Sequence, residues 1–197
     1  MKRKLQYYIY RIWQTAIAPL KNLAVHFKMR YWGVKLGKNI VFYGNMRLVN
    51  MNQMSIGNNT RFHSGHTNFV GGYQKTAIWV GQKGILKIGD NVGISNVTIV
   101  TESSIVIEDE VFIGGGTRIY DNDFHALDKE SRLNDPTVIP SLPILIKRGA
   151  FIGGHSTILK GVIIGENSVI GASSLVVKNV PQNEVWAGVP AKKIRNL

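Results

Sequence analysis

The sequence predicts an all-β solenoid: a triangular parallel β-helix with an N-terminal helical segment and one projecting loop. Three observations carry this. Aliphatic residues recur every six positions from Leu36 onward. A small residue often follows the aliphatic one, as in Ile56-Gly57, Ile88-Gly89, Ile152-Gly153 and Ile164-Gly165. The first 32 residues keep a different, helical period.

Residues 1–32 place Leu5, Ile9, Ile12, Trp13, Ala16, Ile17, Leu20, Leu23, Ala24 and Phe27 at three- and four-residue steps, with Pro19 expected to break or kink the helix. Lys2, Arg3, Lys4, Arg11, Lys21, Lys28 and Arg30 are interleaved with tyrosines and tryptophans. Such a segment suits a membrane surface, and equally a helix packed on its own domain or on a neighbouring subunit. The reading is therefore a basic amphipathic segment over residues 1–35 and a β-helix over 36–197.

The six-residue period is strongest in Ile146, Ile152, Ile158, Ile164, Ile170 and Val176. Ile107, Ile113 and Ile119 form a second run, Ile88 and Ile94 a third, and Leu36, Phe42, Leu48 and Met54 a fourth. Neither a 3.6-residue helix nor a two-residue strand alternation gives a strict six. Six residues make a short strand and a turn, and three such units close a coil of about 18, stacked at about 4.8 Å. Asn and Gly at the corners, as in Gly57-Asn58-Asn59 and Gly165-Glu166-Asn167, tolerate left-handed backbone. The period fails over residues 63–85, read as irregular with a loop, and over 126–143, a polar stretch with Pro136, Pro140 and Pro143. A loop of that length in a compact domain is usually functional. It follows His125 directly, and the period resumes at Ile146, so the loop projects sideways.

Composition narrows the chemistry. Of 197 residues, 44% are hydrophobic and 18% charged, which argues against disorder. The absence of cysteine excludes disulfides, thiolate metal sites and cysteine nucleophiles. Net charge is +12, but it is segregated. Residues 1–89 hold 14 Lys and Arg and no acid, whereas residues 90–197 hold 10 against 12 acids. One end of the molecule carries a positive field suited to an anionic substrate, an anionic membrane or nucleic acid. The basic residues are not joined to a nucleic-acid reader module, so nucleic acid is not expected as a partner. No secretory signal and no transmembrane run is read in the sequence.

The hexapeptide pattern, the segment Asp121-Asn122-Asp123-Phe124-His125 and the ending Val185-Trp186-Ala187-Gly188-Val189-Pro190-Ala191-Lys192-Lys193-Ile194 resemble the left-handed β-helix acyltransferases. The closest likeness is to the galactoside, maltose and capsular-polysaccharide O-acetyltransferases. It covers residues 85–197 well, 36–84 loosely and 1–32 not at all. The resemblance implies a left-handed coil, a homotrimer, and acetyl-CoA as co-substrate in a cleft between subunits. It implies no metal. By motif position His125 is the general base. An imidazole with a pKa near 6.5 suits removal of a proton from an attacking hydroxyl. Asp123, Asp121 or a backbone carbonyl would orient its ring.

The resemblance places a backbone oxyanion donor at Gly154, within Ile152-Gly153-Gly154-His155. It places coenzyme contacts at Phe151 (where relatives commonly have Trp), Gly154, Ala172, Val177, Lys178, Lys192 and Arg195, with Lys193 and Lys160 as further cations. Acceptor contacts fall on Asn96 and Glu102, although Ile94 stands where relatives have a first asparagine. The expected activity is acetyl transfer from acetyl-CoA to a sugar hydroxyl of a surface polysaccharide or its precursor. The expected location is cytoplasmic, peripheral on the inner face of the membrane. The alternatives are a non-catalytic β-helix scaffold or membrane-associated binding protein, and a three-histidine zinc carbonic anhydrase on the same coil. His63 and His66 lie too close together, and too far from His125 and His155, for the latter.

Overall fold

A computed structural model describes residues 5, 6, 8, 20, 22–65, 68, 70, 72, 74–135 and 139–197. The chain winds as a three-sided parallel β-helix. The first face stacks Lys35–Leu36, Gln53–Ile56, Ile85–Ile88, Ser104–Ile107, Ile144–Ile146 and Ile163–Ile164. The second stacks Val41–Tyr43, Arg61–His63, Gly93–Ser95, Phe112–Ile113, Phe151–Ile152 and Val169–Ile170, and then the hairpin Glu184–Gly188/Ala191–Asn196. The third stacks Arg47–Asn50, Ala77–Val80, Thr98–Thr101, Arg118–Tyr120, Thr157–Leu159 and Leu175–Val176.

The six-residue runs are the inward columns. Ile88, Ile107, Ile146 and Ile164 are in register on the first face. Ile94, Ile113, Ile152 and Ile170 are in register on the second, and Ile99, Ile119, Ile158 and Val176 on the third. All are buried. Each such side chain contributes about 1.5–3 kcal/mol by leaving water, and the strict period keeps the columns continuous.

One corner, between the first and second faces, is a ladder of left-handed residues: Asn39, Asn59, Asn91, Glu110, Gly149, Asn167 and Asn183 all have φ between 56° and 68°. From Asn59 on, each donates its N–H to a carbonyl one coil earlier, as Asn59 does to Lys38 and Asn167 to Arg148. Asparagine is favoured because its short polar side chain tolerates this conformation. A closer backbone approach occurs at Gly44 (φ 91°), where a Cβ would lie 1.9 Å from the Ser64 carbonyl oxygen.

The two ends are covered. Residues 22–31 are helical. Their Val25 and Met29 are buried against the first coil. Asn22 Oδ1 accepts the Phe42 N–H at 2.8 Å, and His26 Nε2 lies 3.1 Å from the Ile40 carbonyl. At the far end the antiparallel hairpin caps the second face. A β-helix needs such caps, since open ends expose unpaired strand edges. Pro19 and its expected kink lie outside the described residues.

The irregular stretch is shorter than the period suggests. Trp79 stands in the regular strand Ala77–Val80, and Ile85–Ile88 is regular too. Among the described residues of that stretch, those between His63 and Ala77 leave the strand pattern. The second insertion projects as expected, and carries a short helix, Lys129–Asn134, capped by Asp128. The hydrogen bond from the Ser131 N–H holds the Asp128 carboxyl below its ordinary pKa.

Candidate functional site

His125 sits on the insertion that leaves the corner between the third and first faces. The base of this insertion is tied down from both sides. Asn122 and Ser141 form an antiparallel bridge. The Asp123 N–H donates to Pro140 and the Leu142 N–H to Asp121, at 3.1 and 2.9 Å, and Gly161 of the next coil donates to Leu142 at 3.2 Å. Asn122 Oδ1 accepts the Phe124 N–H at 2.9 Å and so bends the chain through φ 64° at Phe124. Phe124 in turn meets Tyr120 edge-on, with centroids 5.0 Å apart. Burial raises the Tyr120 pKa, partly offset by Arg118.

The acidic residues of the segment do different work from that expected. Asp121 is fully buried and accepts four hydrogen bonds. Oδ2 takes Thr101 Oγ1 at 2.6 Å and Ser103 N–H at 2.9 Å; Oδ1 takes Glu102 N–H at 2.8 Å and Asn122 Nδ2 at 3.1 Å. It is a corner staple, and its acceptor capacity is filled. Asp123 Oδ1 forms an ion pair with Lys160, one coil further on, while Oδ2 is buried without a partner. Neither carboxylate bonds the His125 ring, and among the described residues nothing else does. The ring is exposed. Lys160, considered above for the coenzyme, is committed to Asp123.

Gly154 lies at a different corner, between the second and third faces. Its carbonyl accepts the Ser173 N–H, and the His155 N–H goes to Gly115, but its own N–H donates to no described residue. The same holds for Gly115 and Ala172, so the corner presents a short column of free N–H donors. His155, at φ 60°, lays its ring over Gly116, where a Cβ would come within 2.5 Å of Nδ1. The strand Thr157–Leu159 and its turns, about 10 Å or more of chain, separate this corner from Lys160 and the His125 insertion. One copy of the chain therefore does not bring His125 and Gly154 together.

Phe151 is 47% exposed on the outer side of the second face, beside Phe112 in register. Ala172 is one coil beyond Gly154; a Cβ on Gly153 would lie 2.5 Å from its nitrogen, so the coils are in close contact there. Val177 and Lys178 are exposed at the corner below Lys160, and Lys192 and Arg195 are exposed on the terminal hairpin. None of these three cations forms an ion pair among the described residues. They suit phosphate groups, though on two different edges. Lys193 is instead bonded to Glu184 at 2.5 Å. That bond, with one from Trp186 Nε1, holds the Glu184 carboxyl low.

Asn96 is not available to an acceptor. It is 1% exposed. Oδ1 accepts the Gly65 N–H at 2.9 Å, and Nδ2 donates to the Val70 and Gly72 carbonyls at 3.2 and 3.0 Å. The side chain staples the 64–76 loop to the coil. Glu102 stands at the same corner as the His125 insertion and accepts from Trp79 Nε1 at 3.1 Å. The roles of Trp79 and Lys160 follow from strand register, which the motif alone does not give: Lys160 follows Leu159 as Asp121 follows its partner Tyr120.

The stacked parallel coil with its six-residue inward columns is a hexapeptide-repeat architecture. The family described as bacterial transferase hexapeptide (six repeats) matches residues 143–178. Galactoside O-acetyltransferase of Escherichia coli is 37% identical over 126 residues, covering 60% of this chain and 61% of that one. A second Escherichia coli protein, WbbJ, provisionally named a lipopolysaccharide biosynthesis O-acetyl transferase, is 30% identical over 162 residues, covering 79% and 81%. The hexapeptide-repeat acetyltransferase VCA0836 of Vibrio cholerae, solved with acetyl coenzyme A, superposes with a TM-score of 0.56 at 30% identity, covering 70% of each chain. The chain belongs to the hexapeptide-repeat acyltransferases, and its coil is the left-handed β-helix of that family. Its match spans less than two thirds of the galactoside enzyme.

Proposed function

We propose that the protein is an acetyl-CoA:hydroxyl O-acetyltransferase acting on a sugar of a surface polysaccharide or its precursor, with His125 as general base. The observation that carries this reading is the exposed His125 ring on a segment fixed by Asp121, Asn122 and the Asp123–Lys160 pair. In the reaction, His125 Nε2 takes the proton of the acceptor hydroxyl as its oxygen attacks the thioester carbonyl. The tetrahedral oxyanion is met by the Gly154 N–H. Collapse breaks the C–S bond, and the imidazolium returns the proton to the departing thiolate. Because His125 and Gly154 occupy different corners of one copy, the working site draws them from two neighbouring copies, in keeping with a homotrimer. Ala172, Val177, Lys178, Lys192 and Arg195 would hold the coenzyme, and Glu102 would face the acceptor.

Thiol release from acetyl-CoA in the presence of sugar acceptors tests the reading. His125→Ala is expected to lose at least about 100-fold in turnover while keeping the oligomer and the coenzyme affinity. A wild-type protein that acetylates no hydroxyl acceptor defeats it.

The helix over residues 22–31 supports a peripheral membrane placement. Val25 and Met29 face the coil, while Leu23, Phe27 and Tyr31 form an exposed apolar stripe with Arg30 beside it. No helix among the described residues is long and apolar enough to cross a membrane. Vesicles containing phosphatidylglycerol should capture the full chain and release a Leu23→Glu/Phe27→Glu variant; equal capture of both counts against this placement.

A further inference from the structure

A shallow groove of about 310 Å3 runs along the outer side of the second face, from the coil of Arg61 to the coil that carries both Phe151 and Gly154. Its walls are Arg61, His63, Ser95, Phe112 and Phe151, and Gly93 makes up part of its floor. Strand register builds it: Arg61, Gly93, Phe112 and Phe151 stand in one column, and His63 and Ser95 in the next. The missing side chain at Gly93 is what makes room. A Cβ there would lie 2.7 Å from the Phe112 ring, which rests over the glycine. Phe112 and Phe151 are 58% and 47% exposed, a large apolar surface for a solvent-facing strand pair.

We propose that this groove is the acceptor subsite and that Arg61 selects a sugar carrying an anionic substituent, a phosphate or a carboxylate. The proposal rests on the transfer reading only for its location: the groove ends at Gly114, whose Cβ position is 2.5 Å from the Gly154 nitrogen. The charge class stands on the groove itself. No carboxylate lines it. Arg61 has no ion-pair partner among the described residues, and the sequence contains no acid before Asp90. A guanidinium that lines the same groove as two phenyl rings can pair a bidentate anion contact with a surface for the apolar face of a sugar. His63 strengthens the case. Its ring stacks on Tyr43 at 4.6 Å, and burial and then Arg61 lower its pKa, which disfavours a second charge in the groove.

The test is binding of glucose 1-phosphate, glucuronate and glucose to the full-length protein by calorimetry, without a thioester. At least one charged sugar should bind about 10-fold or more tighter than glucose. The preferred member tells whether phosphate or carboxylate is read. Arg61→Gln should erase the preference, and Phe112→Ala should weaken all binding. Lys87→Gln, which removes a charge from the first face, should keep the preference. Equal affinity for the three sugars, no binding of any, or an unchanged preference in Arg61→Gln overturns the proposal. So does a change of oligomeric mass in either groove variant, which would make the groove a subunit contact. In His125→Ala the preference should persist. If wild type shows the preference yet transfers no acetyl group, the transfer reading falls and the groove stands.

Discussion

Replacing Lys160 by Met is the sharpest probe of how the fold holds His125. The Lys160 and Asp123 side chains are only 26% and 20% exposed. Breaking a fully buried pair costs about 3–5 kcal/mol, because a charge is left without its partner. A freely exposed pair is worth about 0.2–1 kcal/mol. With roughly three quarters of each side chain covered, and Asp123 Oδ2 already lacking a partner, the expected loss is about 2 kcal/mol. For a chain of this size that lowers the melting temperature by about 4–8 °C. Function should suffer more than stability. Asp123 is two residues from His125, and a shift near 1 Å in a reacting group costs up to about 100-fold. Turnover should fall about 10–100-fold with KM for acetyl-CoA unchanged. Lys160→Arg, which keeps the charge, should recover much of it. Asp123→Asn and the double variant close a cycle, with an expected coupling of at least about 1 kcal/mol. Wild-type turnover in Lys160→Met beside a lowered melting temperature would reduce the pair to a purely structural one, and a coupling near zero would refute the argument altogether.

Ile152→Ala and Phe151→Ala are neighbours with opposite expectations. The first opens a cavity in a buried column and should cost about 2–5 kcal/mol in urea unfolding, whereas the second, on the outside, should cost under about 1 kcal/mol and show mainly in ligand affinity. Asn96→Ala leaves Gly65, Val70 and Gly72 without their bonds. It should cost about 1–3 kcal/mol and speed proteolysis within 64–76; an effect confined to acceptor KM would restore Asn96 to the binding site. The His63 pKa is lowered in the fold, first by burial and then by Arg61. The unfolded chain therefore binds the proton more readily. This contribution to stability is complete above about pH 6.5 and is lost as pH falls through the lower folded value. Melting temperatures between pH 7 and 5 should decline less steeply in His63→Gln than in wild type.

The inward columns were legible because every coil repeats the same requirement. An aliphatic side chain at each six-residue step has one possible destination, and Ile146 to Val176 show it without a slip. The corners were legible in part: Asn59 and Asn167 signal left-handed turns, but Glu110 takes the same conformation with no such signal. What stayed hidden were contacts between coils. Asp121 and Asp123 look equivalent in the segment leading to His125, yet one is filled by Thr101, Glu102, Ser103 and Asn122 and the other by Lys160. Those partners lie 18–37 residues away, apart from Asn122. Asn96 misled for the same reason. Its position matched an acceptor motif, and only the placement of Gly65, Val70 and Gly72 shows that its amide is already saturated.

The architecture explains why chemistry gathers at corners. A face of the coil has its inward side committed to the core and its backbone to the ladder, so neither can vary. A corner is tied to the coil before it by single bonds, as Asn59 is to Lys38, and leaves the rest of its turn open. Between Ile107 and Ile146, which pair directly, the chain leaves the coil and returns without disturbing register. The closure entropy of such an excursion grows only logarithmically, about 0.6 kcal/mol for each doubling in length. The insertion is thus thermodynamically cheap where it stands, provided its base is fastened, and the bonds of Asp121, Asn122 and Asp123 do that fastening. The same logic divides the proposed site. A histidine carried by one corner and N–H donors carried by another cannot meet across a filled triangular core, whereas a second copy placed alongside presents its other corner to the first. A monomeric but fully folded variant should therefore bind coenzyme weakly and transfer nothing, and mixing it with His125→Ala subunits should restore turnover only where mixed assemblies form.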